Sequence, residues 1–128
     1  MIKKTIKYTD YNGEERIEDF WFNLSKAECM EMEMSIDGGL TEMMAKIIAA
    51  KDAPSIVKVF KDLILKSYGE KSADGRRFIK KDKDGNRLAD AFAETEAYSN
   101  LFIELSTDDN AGAEFFNKVI EGPAVQDN

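Results

Sequence analysis

Few side chains in this sequence are placed to do chemistry. There is no histidine among its 128 residues, which removes the commonest general base and the commonest metal ligand. Cys29 is the single cysteine. No basic neighbour is placed to favour its thiolate, so it reads as a small buried hydrophobe. A lone cysteine forms no disulfide within the chain and fits a reducing compartment. Carboxylates pair as Glu31 with Glu33 and Asp108 with Asp109, but at a net charge of −7 such pairs are expected on solvated faces. Serines and threonines lack a histidine to activate them, and no serine–lysine pair stands in a strand–turn–helix setting. The sequence points away from an enzyme, with no catalytic, cofactor-binding or metal-ligating residue and no cofactor expected.

The stretch LILKSYGEKSADGRRFIKKDKDGNR, from Leu63 to Arg87, is the other place where chemistry might be sought. As a calcium loop, Asp82-Lys83-Asp84 supplies the first two ligand positions. The sixth position is then Arg87 instead of glycine, and the twelfth is Ala93 instead of glutamate. No Gly-Lys-Ser/Thr follows at Walker spacing, and Gly69, Gly75 and Gly85 are too scattered for a dinucleotide fingerprint. Asp74-Gly75 and Asp84-Gly85 are favoured turn dipeptides, so residues 69–87 read as a basic loop or β-tongue. Arg76, Arg77 and Phe78 make it a candidate surface for contact with another protein. Net charge is −2 over residues 1–68, +3 over 69–87 and −8 over 88–128. The acidic last third repels nucleic acid and serves solubility.

The elements that must carry these residues are well marked. Hydrophobic residues at 43% and charged residues at 34% describe an ordinary ordered domain, and the length suits one domain. Met1-Ile2-Lys3-Lys4 leads into no apolar stretch, so no secretory signal is expected. Apolar runs fall far short of the roughly 18 residues that mark a membrane span. Ile2, Ile6 and Tyr8 alternate, interrupted by Lys4, before the turn signal Asp10-Tyr11-Asn12-Gly13. Arg16 to Leu24 alternates again, with Phe20, Phe22 and Leu24 on one face and Ile17 and Trp21 on the other. One face must pack on the domain, which makes Trp21 a candidate for contact on the other.

Ser25 and Glu28 form a capping box, with Leu24 and Cys29 as its hydrophobic staple. The first helix is expected to turn Ala27, Met30 and Met34 inward until Asp37-Gly38-Gly39. A second shows Leu40, Met43, Met44, Ile47 and Ile48. After Asp52-Ala53-Pro54, a third shows Ile56, Val57, Phe60, Leu63 and Ile64 and ends near Tyr68-Gly69 with a left-handed glycine cap. Leu88, Ala89 and Phe92 open another helical pattern that bends near Thr95 and resumes at Tyr98, Leu101, Phe102 and Leu105. Asp108 or Asp109 caps a last helix bearing Phe115, Phe116, Val119 and Ile120, with Gly122-Pro123 as its stop. Five methionines fall between Met30 and Met44, residues suited both to core filling and to adaptable binding surfaces. Met32 lies off the stripe and is expected to be exposed; Met32, Met43 and Met44 are candidate contacts. The expected class is α+β: an N-terminal β-hairpin, then a bundle of about five or six helices. One domain is expected over 1–123, with a frayed, disordered tail at 124–128.

The chain also resembles the tail assembly chaperones of long-tailed phages and prophages of Gram-positive bacteria. The matching text runs from IKYTDYNGEERIEDFWFNLSKAE through FKDLILKSYGEKSADGRRFIK to AFAETEAYSNLFIELSTDDNAGAEFFN. Its most specific pieces are Ser67 to Ser72, Asp74 to Phe78 and Thr95 to Tyr98; Lys80 to Leu88 reads as an insertion. The resemblance implies a non-catalytic protein of the host cytoplasm that coats the long helical tape-measure protein and keeps it soluble. It gives way as tail-tube protein polymerises around that client. The resemblance also implies self-association and, in many relatives, a longer frameshifted form. Such a task needs apolar grooves for amphipathic helices, which the methionine-bearing helices would line. The acidic last third supports one alternative, a DNA-mimicking inhibitor of a host DNA-binding protein.

Overall fold

The computed structural model describes residues 1–122 and the backbone of Gln126–Asp127. Strands β1 (Ile2–Thr9) and β2 (Glu15–Phe22) pair antiparallel, from Ile2↔Phe22 to Thr9↔Glu15. The expected turn is a five-residue loop organised by Asp10. Its Oδ1 accepts the backbone N–H groups of Asn12 and Glu14, and its Oδ2 accepts Arg16 Nε at 2.6 Å. Lys4 does not interrupt the alternation. Its stem follows Ile2 and Ile6 onto the buried face, 8% exposed, while its ammonium reaches Glu104 Oε1 at 3.3 Å.

Six helices follow among the described residues: α1 (Lys26–Met34), α2 (Leu40–Ala50), α3 (Ala53–Ser67), α4 (Leu88–Phe92), α5 (Glu96–Thr107) and α6 (Asp109–Val119). Their starts are where capping chemistry places them. Ser25 and Glu28 exchange both capping-box bonds, Asp52 accepts from Ser55 N, Thr95 from Tyr98 N, and Asp108 from the N–H groups of Asn110 and Ala111. The architecture is therefore α+β, a sheet backed by a helical bundle.

α1 turns a different face inward from the one expected. Met30 is 65% and Met34 84% exposed, Ala27 is exposed too, and Cys29 and Met32 pack on the core instead. Cys29, Met32 and Ile36 form a second apolar arc of helical spacing. The Leu24–Cys29 staple and a bond from Lys80 Nζ to Glu28 Oε2, at 2.7 Å, fix the rotation that buries it. α1 is thus pinned at its edges: none of its residues is fully buried.

The end of α3 also departs from expectation. Tyr68 is already extended (φ −64°, ψ 138°), so the helix passes straight into strand β3 (Tyr68–Lys71) with no left-handed glycine. Gly69 is needed for space: a Cβ there would lie 2.5 Å from Phe78 Cε2 and 2.6 Å from Ile79 O. β3 joins β2 through Trp21↔Gly69 and Phe22↔Tyr68, and pairs with β4 (Phe78–Ile79) on its other side. A second turn closes at Asp82, whose Oδ1 accepts from the N–H groups of Asp84 and Asn86, above a bridge between Lys81 and Arg87. We call residues 69–87 the tongue. Of the expected tail at 124–128, Gln126–Asp127 form a two-residue strand, β5, parallel to β1, giving the order β4-β3-β2-β1-β5. The remaining tail residues lie outside the described ones.

Helices cover one face of this sheet. Phe22 meets Phe92 at 5.8 Å and Phe115 at 5.2 Å, and Phe92 stacks on Tyr68 at 4.2 Å with an interplanar angle of 3°. Phe22, Phe115, Leu101 and Leu105 are almost completely buried around them.

Candidate functional site

The partial burial of α1 leaves an open groove between it and the α2–α3 pair. α1 and the turn after it contribute Met32 and Ile36, α2 contributes Met43 and Ile47, α3 contributes Val59 and Leu63, and Phe116 forms part of the floor. This lobe measures about 350 Å³. A second lobe of about 300 Å³ continues toward the tongue past Leu24, Leu65, Tyr68 and Ala89. Met32 and Lys66 belong to both lobes. The groove follows α3 from Ser55 to Lys66, about 16 Å at 1.5 Å per residue.

Its two ends differ in charge. The α2 end is apolar apart from Lys58, Asp62 and Ser55. At the tongue end Lys66, Lys80, Lys81 and Arg87 face Glu28 and Glu31. Burial pushes the Glu28 carboxyl up, but hydrogen bonds from Lys80 and the Ser25 amide outweigh it and hold the group below its ordinary value. Lys80 Nζ also donates to Lys66 O at 2.7 Å, tying the tongue to the end of α3. Burial, with the Glu28 charge adding to it, raises the Cys29 thiol. That thiol is protonated at neutral pH and no nucleophile.

The candidate contact residues separate into two surfaces. Met32 and Met43 are half-buried walls of the groove. Met44 is 4% exposed and belongs to the core cluster, so its side chain is not presented at the surface. Trp21 and Phe78 share the sheet face that the helices do not cover, on either side of the side-chain-free Gly69, with Ile17 68% exposed farther along β2. Arg76 and Arg77 are exposed at the tip of the β3–β4 hairpin. The sequence reading missed Ile36, Val59 and Phe116 as groove residues and Lys66, Lys80 and Lys81 as its basic end. The Cys29-Met32-Ile36 spacing was the one available signal.

One carboxylate of each pair has a structural role. Glu33 accepts the Leu40 N–H at 3.0 Å, and Asp108 caps α6. Among the described residues, no group of three or more Cys, Asp or Glu side chains is placed to hold a metal, and no helix is long and apolar enough to cross a membrane. The surface carries an apolar groove with one basic end, and a sheet face bearing aromatics.

No curated protein and no solved structure matches the chain. Residues 1–124, nearly its whole length, match the family model described as phage tail assembly chaperone. The match agrees with the sequence resemblance, and the chain belongs to the phage tail assembly chaperone family.

Proposed function

We propose that this chaperone works without catalysis, in the host cytoplasm, by seating exposed apolar helix faces of the phage tape-measure protein in the groove between α1, α2 and α3. That would keep the client soluble until tail-tube protein replaces the chaperone. One observation carries the reading. The groove is open and lined by flexible methionine and branched aliphatic side chains, the surface by which one protein accommodates many related amphipathic helices. Its walls are only half-buried and α1 is held at its edges, which suits a complex that must later come apart. The uncovered sheet face with Ile17, Trp21 and Phe78 is assigned to self-association.

The test is co-expression with tape-measure fragments followed by sizing chromatography. A soluble complex is expected that persists to roughly 0.5 M salt, where the Debye length is only a few ångströms, with a negative heat-capacity change on binding. Met43→Lys should weaken it without loss of helical content. Steep loss with salt, or binding to no fragment, would refute the reading and favour an acidic-mimic role.

A further inference from the structure

The two ends of the groove differ more than seating an apolar stripe requires. In a chain of net charge −7, the tongue end presents four cations against two carboxylates. Lys80 is engaged by Glu28 at 2.7 Å, and Arg87 by Asp90 at 2.9 Å. The side-chain ammonium groups of Lys66 and Lys81 have no hydrogen-bond or ion-pair partner among the described residues. Both are exposed, so their ammonium groups reach an incoming ligand without first breaking an internal contact. Lys66 is fixed by its place at the end of α3. Lys81 is fixed by its bridge to Arg87.

We propose that the groove takes an amphipathic helix of about three turns that carries acidic side chains at one end, and that those carboxylates are read by Lys66 and Lys81. The length follows from the run of α3 that lines the groove, and the charge from the surplus at its tongue end. The apolar lobe supplies most of the attraction. The lysines choose the orientation, since complementary charge at a rim contributes more to register and specificity than to affinity. A basic helix end placed there meets like charge and is rejected.

This rests on the groove being the client site, and the experiment separates the two ideas. The probes are labelled peptides of about five helical turns that share one apolar stripe at i, i+3, i+4, i+7 spacing. One has two glutamates in its first turn, one has two in its last turn, and one has lysines at both ends. At low salt, one of the glutamate peptides is expected to bind about tenfold more tightly than the lysine peptide, a difference of about 1.4 kcal/mol. The Lys66→Glu/Lys81→Glu double variant should reverse that order, and Met43→Lys or Ile47→Lys should remove binding of all three. Far-UV dichroism confirms that each variant is folded. Equal affinity for acidic and basic peptides, or an order unchanged by the double variant, overturns the proposal. So does binding that survives both groove substitutions, or a dimer that those substitutions dissolve, which would make a second copy the occupant. Tape-measure fragments that bind regardless of Lys66 and Lys81 would leave the chaperone role standing and remove only this polarity. Peptides that behave as expected while no fragment binds would do the reverse.

Discussion

Glu28→Gln removes the charge that pins α1 to the tongue while keeping a side-chain oxygen able to close the capping box, since glutamine serves there as well as glutamate. The perturbation therefore isolates the bond to Lys80, a 2.7 Å contact between side chains 38% and 25% exposed. A hydrogen bond to a charged group is worth about 1.5–3 kcal/mol when desolvated, and an exposed pair about 0.2–1 kcal/mol. With Glu28 more than a third exposed, solvent screening places the pair near the lower range, about 1 kcal/mol. The pH dependence has a definite sign. The folded-state carboxyl lies below its ordinary value, so its contribution is complete above roughly pH 5 and disappears as pH falls through the folded value. The assay is urea unfolding of wild type, Glu28→Gln, Lys80→Met and the double variant at neutral and acid pH. A coupling energy of about 1 kcal/mol at pH 7, vanishing in acid, is expected. Peptide affinity should fall in step, because α1 carries the Met32 wall of the groove. Strictly additive single variants at pH 7 would show that the pair does not hold α1, and the account of a pinned helix would fail.

Trp21→Ala, at a half-buried position on the uncovered sheet face, should lower stability by about 1–2 kcal/mol, short of the 3–5 kcal/mol of a core aromatic, and shift a sizing profile toward smaller species. Gly69→Ala places a methyl group against the Phe78 ring and a backbone carbonyl, so a loss of about 1–3 kcal/mol is expected in a thermal melt. Replacing Asp82–Asn86 with a two-residue Asn-Gly turn keeps the Lys81–Arg87 bridge and should change stability by no more than about 0.5 kcal/mol.

Local chemistry was legible in the sequence wherever one residue decides an outcome. Ser25 and the Asp108-Asp109 pair mark helix starts, because such side-chain oxygens satisfy amides that the helix cannot, whereas Thr95 reads only as a bend and is the N-cap of a separate helix. The apolar stripe of α3 is long enough to leave one solution for its rotation. α1 is nine residues long and carries two apolar arcs, Met30 with Met34 and Cys29 with Met32, the second continued by Ile36 in the turn after it. Periodicity cannot rank them, and the choice falls to the local Leu24–Cys29 staple together with Lys80, which bonds Glu28 from 52 positions away. Gly69 was legible as an interruption but not as a space-saver, because its reason is the Phe78 ring across a strand pair. Beyond the Cys29-Met32-Ile36 spacing the groove has no sequence signature: it is what remains when α1 is held at its edges above α3.

The direct passage from α3 into β3 has a mechanical consequence. With no loop at Ser67–Tyr68, the helix that lines the groove and the strand that anchors the tongue form one stiff rod, braced by the bond from Ser67 Oγ to Leu63 O and by the stacking of Tyr68 on Phe92. The separation between the apolar lobe and Lys66 is thereby set by the covalent chain, as on a gauge. One extra residue between Leu63 and Lys66 would rotate Lys66 by about 100° around the helix and carry its ammonium out of the groove, while the lobe around Met43 kept its shape. Were the groove to seat the client as proposed above, such a gauge would discriminate among clients by the spacing of their side chains, and one with the right residues at the wrong interval would be passed over.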